Sequence, residues 1–410
     1  MNRVFYLSAV LLRMEKHIIE QAMTGDRKLC SNFKEWKFRS PPSYAALPID
    51  DNPEYWVRTA VKNAVFSKVP TEPLTGNVRL VCASEDALKD ILDLDPSVAE
   101  SEEFINFVAG KYLPEGGLSV CHRYGGYQFG FWADQLGDGR AHILGEYVNS
   151  AGEAWQPQLK GSGETPYSRM ADGRAVLRSS LRELVASEAA WALGLPTTRA
   201  AALVVSDTHE VWRDRLYRGQ ARPERAAVLL RLARCWARLG SAEILRTRRE
   251  PELLKTFVDF IIKHHFPELE AAPPGDRYVR WYREVARRNL RLVAAWQGSG
   301  FTHGVLNTDN VSLLGDTLDY GPFGWLGPYS AHYTPNASDD RGRYAYDQQP
   351  KVMVWNLERF AETVEVLLGE EEQRARLREE VAALPSYVAD RILETFLSKL
   401  GLLEARVGAG

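Results

Sequence analysis

Three short pieces of sequence near residue 310 constrain the fold of this chain more than any other feature. They are His303-Gly304, Asn310 and Asp319-Tyr320-Gly321, in that order. Asn310 and Asp319 offer the oxygen ligands that magnesium takes together with phosphate oxygens and waters. Each piece alone is common, but the ordered set is far more specific, above all with Lys160 at the end of an upstream strand.

The spacing of these pieces is that of a kinase catalytic loop followed by its metal-binding Asp-x-Gly. In kinases a base aspartate stands just after the His-Arg or His-Gly pair. Here that position holds Val305, whose side chain cannot accept a proton. A chain that has the nucleotide-binding residues without the phosphotransfer base has either lost its activity or changed its chemistry.

Short strands and glycine turns begin near Tyr124, and the later part of the chain is mainly helical in pattern. We expect strands at 155–160 and 198–205, and between them a helix at 174–193. Further helices are predicted at 226–246, 251–264, 277–297 and 355–400. This order indicates an α+β class and a protein-kinase-like two-lobed fold. The predicted division is an extension that wraps the core (1–117), a small β-rich lobe with one main helix (118–205) and a larger, mainly helical lobe (206–410).

Composition excludes several classes of protein. A hydrophobic content of 45% is that of a globular chain. A net charge of −3 gives no overall field that would favour nucleic acid or an anionic membrane. Four scattered cysteines without a C-x-x-C pair argue against a disulfide scaffold or a zinc site. No apolar run approaches the roughly 18 residues that a membrane span needs.

Lys160 follows an apolar strand and needs a partner if buried, because an unpaired buried charge is costly. Kinases pair such a lysine with a helix glutamate. The next predicted helix offers Glu183 and Glu188, of which Glu188 falls on the leucine stripe and Glu183 lies to one side. The helical wheel therefore does not select Glu183. A lysine that extends its ammonium to water is the alternative.

Two glycine-containing pieces have both an ordinary and a ligand-binding interpretation. In the run from Gly137 to Arg140, glycines would let backbone N–H groups approach phosphates, although Asp-Gly is more often a hairpin turn. Asp172-Gly173 precedes a predicted helix, so Asp172 is first of all a candidate cap. A helix N-terminus is also an anion site.

Eleven arginines but only three acidic residues lie between Arg213 and Arg249. The stretch is either a solvated basic helix and hairpin or a polyphosphate site. Arg231 and Arg238 would share one face of the predicted helix and could clamp a terminal phosphate, although solvent exposure is the simpler interpretation. Since Val305 cannot act as a base, Asp309 is the best remaining candidate for a general base. The alternative interpretation is that its side chain only forms an Asx turn in the loop.

Longer strings of this sequence resemble the selenoprotein O family of kinase-fold proteins. They cover roughly residues 120–360 and agree in order. The strings are YGGYQFG at 124–130, QLGDGR at 135–140, QLKG at 158–161, TPYSR at 165–169, DGRAVLRSS at 172–180, GLPTTR at 194–199, HGVLNTDN at 303–310, DYGPFG at 319–324, QP at 349–350 and WNL at 355–357.

Members of this family are protein adenylyltransferases (AMPylators), which bind ATP in an inverted orientation and transfer AMP to protein hydroxyl groups. The resemblance therefore implies ATP as substrate, Mg²⁺ or Mn²⁺ as metal, and protein substrates with Ser, Thr or Tyr hydroxyls. It implies neither a nucleic acid nor a membrane partner. An inverted nucleotide presents its α-phosphorus for attack and directs its γ-phosphate to a basic pocket, which fits Val305 and the arginine-rich stretch.

The resemblance also implies a role for individual residues. It places Gly137, Gly139 and Arg140 in the nucleotide loop, makes Lys160 the lysine that contacts phosphates with Glu183 as its helix partner, and adds Asp172 and Gly173 as nucleotide contacts. It assigns the far phosphates to Arg231 and Arg238. It makes Asp309 the proton acceptor and Asn310 and Asp319 the metal ligands.

The sequence departs from the family pattern in places. The usual Pro-Ser pair and Phe before the second arginine are absent, and Leu306 stands where Met is common. Family members often carry a selenocysteine or redox-active cysteine near the C-terminus, whereas the last cysteine here is Cys235, so the resemblance does not extend to redox control of that kind. Eukaryotic members are often mitochondrial. Residues 3–13 are compatible with a weak targeting helix, so a mitochondrial location is expected, and a cytoplasmic one otherwise.

Two other functions remain open. The first is a catalytically silent pseudokinase that binds ATP as a scaffold, and the second is a small-molecule phosphotransferase. Val305 counts against the phosphotransferase. Lys160, Asp309, Asn310 and Asp319 together count against the silent scaffold, which need not keep metal ligands.

Overall fold

The structure is a computed structural model that describes residues 28–52, 54, 60–214 and 219–402. The targeting prediction at residues 3–13 lies outside the described residues. No helix in the described ranges is both long and apolar enough to cross a membrane.

Fourteen strands occur in the described part of the chain. They are β1 (Ile49–Asp50), β2 (Phe66–Lys68), β3 (Val78–Ala83), β4 (Val120–His122), β5 (Tyr127–Gln128), β6 (Phe131–Trp132), β7 (Ala141–Ile143), β8 (Tyr147–Val148), β9 (Ala154–Lys160), β10 (Ala175–Val176), β11 (Arg199–Arg213), β12 (Arg222–Ala233), β13 (Phe301–Thr302) and β14 (Gly324–Trp325). Ten of them form one mixed sheet, whose main path is β1–β2–β4–β7–β9–β12–β11–β3, with β8 beside β9 and β10 beside β12. β5 pairs with β6, and β13 with β14, as separate hairpin-like pairs.

Helices cover the sheet and form most of the chain after residue 238. They are α1 (Glu85–Leu92), α2 (Glu102–Val108), α3 (Leu177–Ala192), α4 (Leu239–Thr247), α5 (Pro251–His265), α6 (Pro274–Ser299), α7 (Gln349–Glu365), α8 (Glu371–Ala382) and α9 (Leu384–Lys399). α3 packs on β11 and β12, whereas α7, α8 and α9 pack around α6. One hydrophobic cluster fills the helical half, and a second lies between the sheet and the segment that contains α1 and α2.

The predicted helix at 226–246 is wrong. Residues 222–233 form the central strand β12, and α4 begins only at Leu239. Every residue from Ala226 to Ala233 is buried, because the neighbouring strands and the layers on both faces cover this strand. A strand covered on both faces has a continuous apolar run, which periodicity cannot distinguish from a buried helix.

The predicted helix at 355–400 is three helices, α7, α8 and α9. A capping box formed by Glu370 and Gln373 begins α8, and a proline in the first turn begins α9. The strand predicted at 155–160 and the helices predicted at 251–264 and 277–297 are confirmed as β9, α5 and α6.

The α+β class is confirmed. The main sheet crosses both predicted domain boundaries. Strand β3, from the predicted extension 1–117, pairs with β11, and β12 lies beyond residue 205. The predicted extension thus contributes strands to the sheet as well as covering it. The boundaries at 117 and 205 and the kinase-like class stay predictions.

Candidate active site

A cleft of about 1080 Å³ lies where β9, β12, α3 and the loop around residues 305–321 meet. It brings together all residues that the resemblance assigned to nucleotide or metal. These are Gly137, Gly139, Arg140, Lys160, Asp172, Gly173, Glu183, Arg231, Arg238, Asn310 and Asp319. The lining does not include Asp309, although its neighbour Asn310 belongs to it.

Lys160 ends β9 and forms an ion pair with Glu183 of α3, with 2.6 Å between Nζ and Oε2. Burial lowers the pKa of Lys160, and the charge of Glu183 opposes that effect. Glu188 pairs with Arg199 instead, at 2.7 Å. The helical wheel did not select between Glu183 and Glu188 as the partner of Lys160, and in the structure the partner is Glu183.

Arg231 and Arg238 do not share a helix. Arg231 lies on β12 opposite Gln158, and Arg238 is the residue just before α4. Both are 2% exposed, so the interpretation as solvent-exposed arginines is wrong. Their guanidinium groups lie over aromatic rings, with the Cζ of Arg231 4.5 Å from the centre of the Trp236 ring and that of Arg238 4.4 Å from the centre of the Tyr124 ring. These rings restrict the directions in which the N–H groups point.

The two arginines nevertheless meet at Asp319. Arg231 Nη1 lies 2.6 Å from Oδ1 of Asp319, Arg238 Nη1 lies 3.0 Å from Oδ2, and Lys160 Nζ lies 3.4 Å from Oδ1. Arg231 Nη1 also lies 2.8 Å from Oε1 of Glu183. Burial alone would raise the pKa of Asp319, but the three cations hold it well below its usual range. Asp319 is therefore an ionised carboxylate at any physiological pH.

Gly137 and Gly139 lie in the loop that leads into β7, and Gly137 has a φ of 132°. A Cβ on Gly137 would overlap the ring of Tyr167, and one on Gly139 would press on the Tyr167 carbonyl oxygen. Both glycines are thus required by the close approach of Tyr167, which lines the same cleft. Contact between their N–H groups and phosphates stays a prediction.

Asp172 does not cap a helix, so that interpretation is wrong. α3 begins at Leu177 without a side-chain cap. Asp172 accepts a hydrogen bond from the Arg174 N–H at 3.0 Å and forms an ion pair with Arg213 at 2.7 Å. It therefore lies at the rim of the cleft with its carboxylate already bound to a cation.

Asp309 and Asn310 belong to a short 3-10 turn at residues 308–310. The Oδ2 atom of Asp309 accepts a hydrogen bond from Gln128 Nε2 at 3.2 Å, whereas Oδ1 has no hydrogen-bond partner. Burial raises the pKa of Asp309 to about 6, against the effects of Gln128 and Arg238. Asn310 Nδ2 donates to the Val305 carbonyl at 2.8 Å, and Val305 itself lines the cleft.

Several residues of this site carry no signal that the sequence analysis used. Gln158 accepts hydrogen bonds from Arg231, and the carboxylate of Asp138 lies 3.9 Å from Arg238. Glu243 of α4 is buried and accepts a hydrogen bond from Thr308 at 2.6 Å. Gln128, Asp138 and Gln158 lie within the strings that resemble the family, which is the one sequence signal that could have found them.

A metal site made wholly of protein is not present, because no group of three His, Cys, Asp or Glu residues in the described ranges could hold an ion. Asn310 and Asp319 still fit magnesium, since both carry oxygen atoms and line the same cleft. Magnesium commonly binds through one or two such side chains and completes its shell with phosphate oxygens and waters. The two residues therefore suit a metal ion that arrives with a phosphorylated ligand.

Several known proteins are similar to this chain. A family model described as "Protein adenylyltransferase SelO" matches residues 57–409. "Protein nucleotidyltransferase YdiU" of Nitrosospira multiformis is 44% identical over 76% of this chain and 55% of its own length. The YdiU protein of Flavobacterium johnsoniae is 44% identical over 87% of this chain and 67% of its own length. Human "Protein adenylyltransferase SelO, mitochondrial" is 43% identical over 85% of this chain. The chain spans 53% of the human protein's length, so the aligned part is little more than half of that relative.

Proposed function

Because this chain belongs to the SelO family of protein adenylyltransferases, we propose that it transfers AMP from ATP to Ser, Thr or Tyr hydroxyl groups of proteins and releases pyrophosphate. One observation carries the proposal. The cleft gathers Lys160, Arg231 and Arg238 around Asp319, while the position of the kinase base is the apolar Val305. Such a cleft suits a triphosphate but lacks the base at the place where phosphate transfer needs it.

In the proposed reaction the acceptor oxygen forms a bond to the α-phosphorus. The bond from that phosphorus to the bridging oxygen breaks, and pyrophosphate leaves with the electron pair. Asp309 takes the hydroxyl proton. Its pKa of about 6 leaves it ionised at neutral pH yet basic enough to hold a proton.

Lys160, Arg231 and Arg238 would stabilise the negative charge of the phosphates during this reaction. Trp236 and Tyr124 restrict the directions in which the N–H groups of the buried arginines can meet phosphate oxygens. Arginine forks bind such oxygens in pairs. We assign the outer phosphates to Arg231 and Arg238, and an inner phosphate contact to Lys160, which Glu183 holds in place.

Asn310 and Asp319 would hold Mg²⁺, with Mn²⁺ as an alternative. The ion would supply positive charge that offsets the negative charge of the phosphates. A mitochondrial location is a further proposal, which the name of the human mitochondrial relative supports.

The test uses ATP labelled on the α-phosphate and, in parallel, on the γ-phosphate, with magnesium or manganese and a protein acceptor. We expect transfer of the α-label alone. Transfer of the γ-label alone would identify a kinase and contradict the proposal. ATP binding without transfer of either label would favour the silent scaffold.

A further inference from the structure

The hairpin formed by β5 and β6 stands directly beside the proposed base. Gln128 of β5 donates its side-chain amide to Asp309 at 3.2 Å. One residue earlier, the Tyr127 N–H donates to the Thr308 hydroxyl at 2.8 Å. The hairpin and the turn that carries Asp309 are thus joined at two successive positions.

The tip of this hairpin is apolar and open to solvent. Phe131 is 79% exposed and Phe129 is 39% exposed. Gln128 and Phe131 are cross-strand partners, and directly opposed residues of an antiparallel pair project to the same face. The Phe131 ring therefore lies on the face from which the Gln128 amide reaches the base.

The turn between the strands holds Phe129 in a costly conformation. Phe129 has a φ of 51° and Gly130 a φ of 89°, as a two-residue turn of type I′ requires. A bulky residue rarely adopts a positive φ, and such residues collect at functional sites. The Phe129 N–H is held by the Tyr344 hydroxyl at 2.8 Å, so the strained turn is fixed from outside the hairpin.

A cation without an acidic partner stands against the same turn. The Cζ atom of Arg343 lies 3.5 Å from where a Cβ on Gly130 would stand, and 4.8 Å from the Trp355 ring centre. Among the described residues Arg343 has no carboxylate partner, and its Nε has no hydrogen-bond partner, although its side chain is hydrogen-bonded to the Tyr344 hydroxyl. Phenylalanine and arginine are both enriched at protein–protein interfaces relative to the rest of the surface.

We propose that Phe129, Phe131 and Arg343, here called the acceptor ridge, dock the protein that receives AMP. The occupant is a polypeptide segment with a large apolar side chain and a carboxylate close to the hydroxyl that is modified. The carboxylate complements the unpaired Arg343, and the apolar side chain covers Phe131. Gln128 contacts Asp309 and is the cross-strand partner of Phe131, so the ridge lies beside the base that the acceptor hydroxyl has to reach. The proposal rests on the proposed function, since it takes Asp309 as the base.

Phe131→Ser tests the ridge without disturbing the core, because this side chain is mostly in solvent. The probe is dephosphorylated casein, an acidic protein rich in hydroxyl groups. We expect the KM for casein to rise roughly tenfold, as for loss of an interface hot spot, with the KM for ATP unchanged. Leu400→Ser is the matched control, since Leu400 is 62% exposed just after α9 and should behave as the wild type. An unchanged KM for casein would overturn the proposal, and so would equal effects on casein and ATP.

Binding of fluorescently labelled casein, followed by anisotropy, gives a readout that needs no catalysis. We expect Phe131→Ser to bind casein about tenfold more weakly than the wild type and Leu400→Ser. Equal binding by the three proteins contradicts the ridge even if AMP is transferred. Wild-type protein that transfers no AMP refutes the proposed function, while the binding comparison still decides about the ridge.

Arg343→Gln tests the charge. We expect this variant to lose preference for casein over histone, a basic acceptor, in the same two assays. A preference that stays as in the wild type would show that Arg343 does not recognise acidic flanking residues.

Discussion

Arg231 Nη1 lies 2.6 Å from Oδ1 of Asp319, although 88 residues separate the two in the sequence. The arginine comes from the central strand of the sheet and the aspartate from the loop after β13. Both are buried or nearly so, and their contact therefore joins the floor of the cleft to the proposed metal ligand. Removing Asp319 would leave Arg231 paired with Glu183, and removing Arg231 would leave Asp319 with Arg238 and Lys160.

Asp319→Ala should abolish magnesium-dependent ATP binding and AMP transfer. It should also lower the free energy of unfolding by about 3 kcal/mol, because Arg231 and Arg238 would lose a buried partner. Calorimetric ATP titrations with and without magnesium, together with denaturant unfolding, measure the two effects. Full activity in this variant would refute the assignment of Asp319.

The double variant Arg231→Ala, Arg238→Ala should weaken ATP binding far more than AMP binding. Loss of charge-assisted contacts to the outer phosphates predicts about a ten- to hundredfold effect on the Kd for ATP. Arg225→Ala is the control, as this arginine lies on the same strand with a half-exposed side chain. Equal loss for both nucleotides would show that the pair does not hold the outer phosphates.

Glu243 should make the protein less stable as the pH rises. Burial raises its pKa to about 8, from an ordinary value near 4.5. Between these values the folded form holds a proton that the unfolded chain has released, so the free energy of unfolding falls with rising pH. Glu243→Gln should flatten this slope by up to about 1.4 kcal/mol per pH unit, and its advantage over the wild type should grow toward pH 8. Unfolding curves from pH 5 to pH 8 measure it, and parallel slopes for the two proteins would contradict the expected charge state.

Gly137→Ala should destabilise the protein and impair the cleft together. Its φ of 132° disfavours any side chain, and the added Cβ would overlap the Tyr167 ring. We expect a lower thermal midpoint and weaker ATP binding. Gly369→Ala is the control, since nothing lies within 4 Å of its Cβ position. A Gly137→Ala protein with normal stability would show that Tyr167 moves away without cost.

The sequence could predict those parts of the site that follow from local pattern. Lys160 was predicted at a strand end because residues 155–160 alternate as a strand does, and the loop with Asn310 and Asp319 was recognisable from its spacing. Arg231 was misplaced because a strand covered on both faces has the same apolar run as a buried helix. The choice between Glu183 and Glu188 depended on Arg199, which takes Glu188 from a separate strand. Gln128, Gln158 and Glu243 were missed as contacts because single polar residues show no period.

The contacts of Asp319 have a thermodynamic consequence for how ligands enter. The carboxylate that would bind a metal ion is the same group that holds the cations assigned to the phosphates. A metal ion that binds Asp319 would free those cations, and phosphates that bind the cations would free Asp319. Each ligand therefore removes the competitor of the other, so we expect positive cooperativity between metal and nucleotide. By linkage the effect must be reciprocal, with the metal tightening ATP by the same factor as ATP tightens the metal.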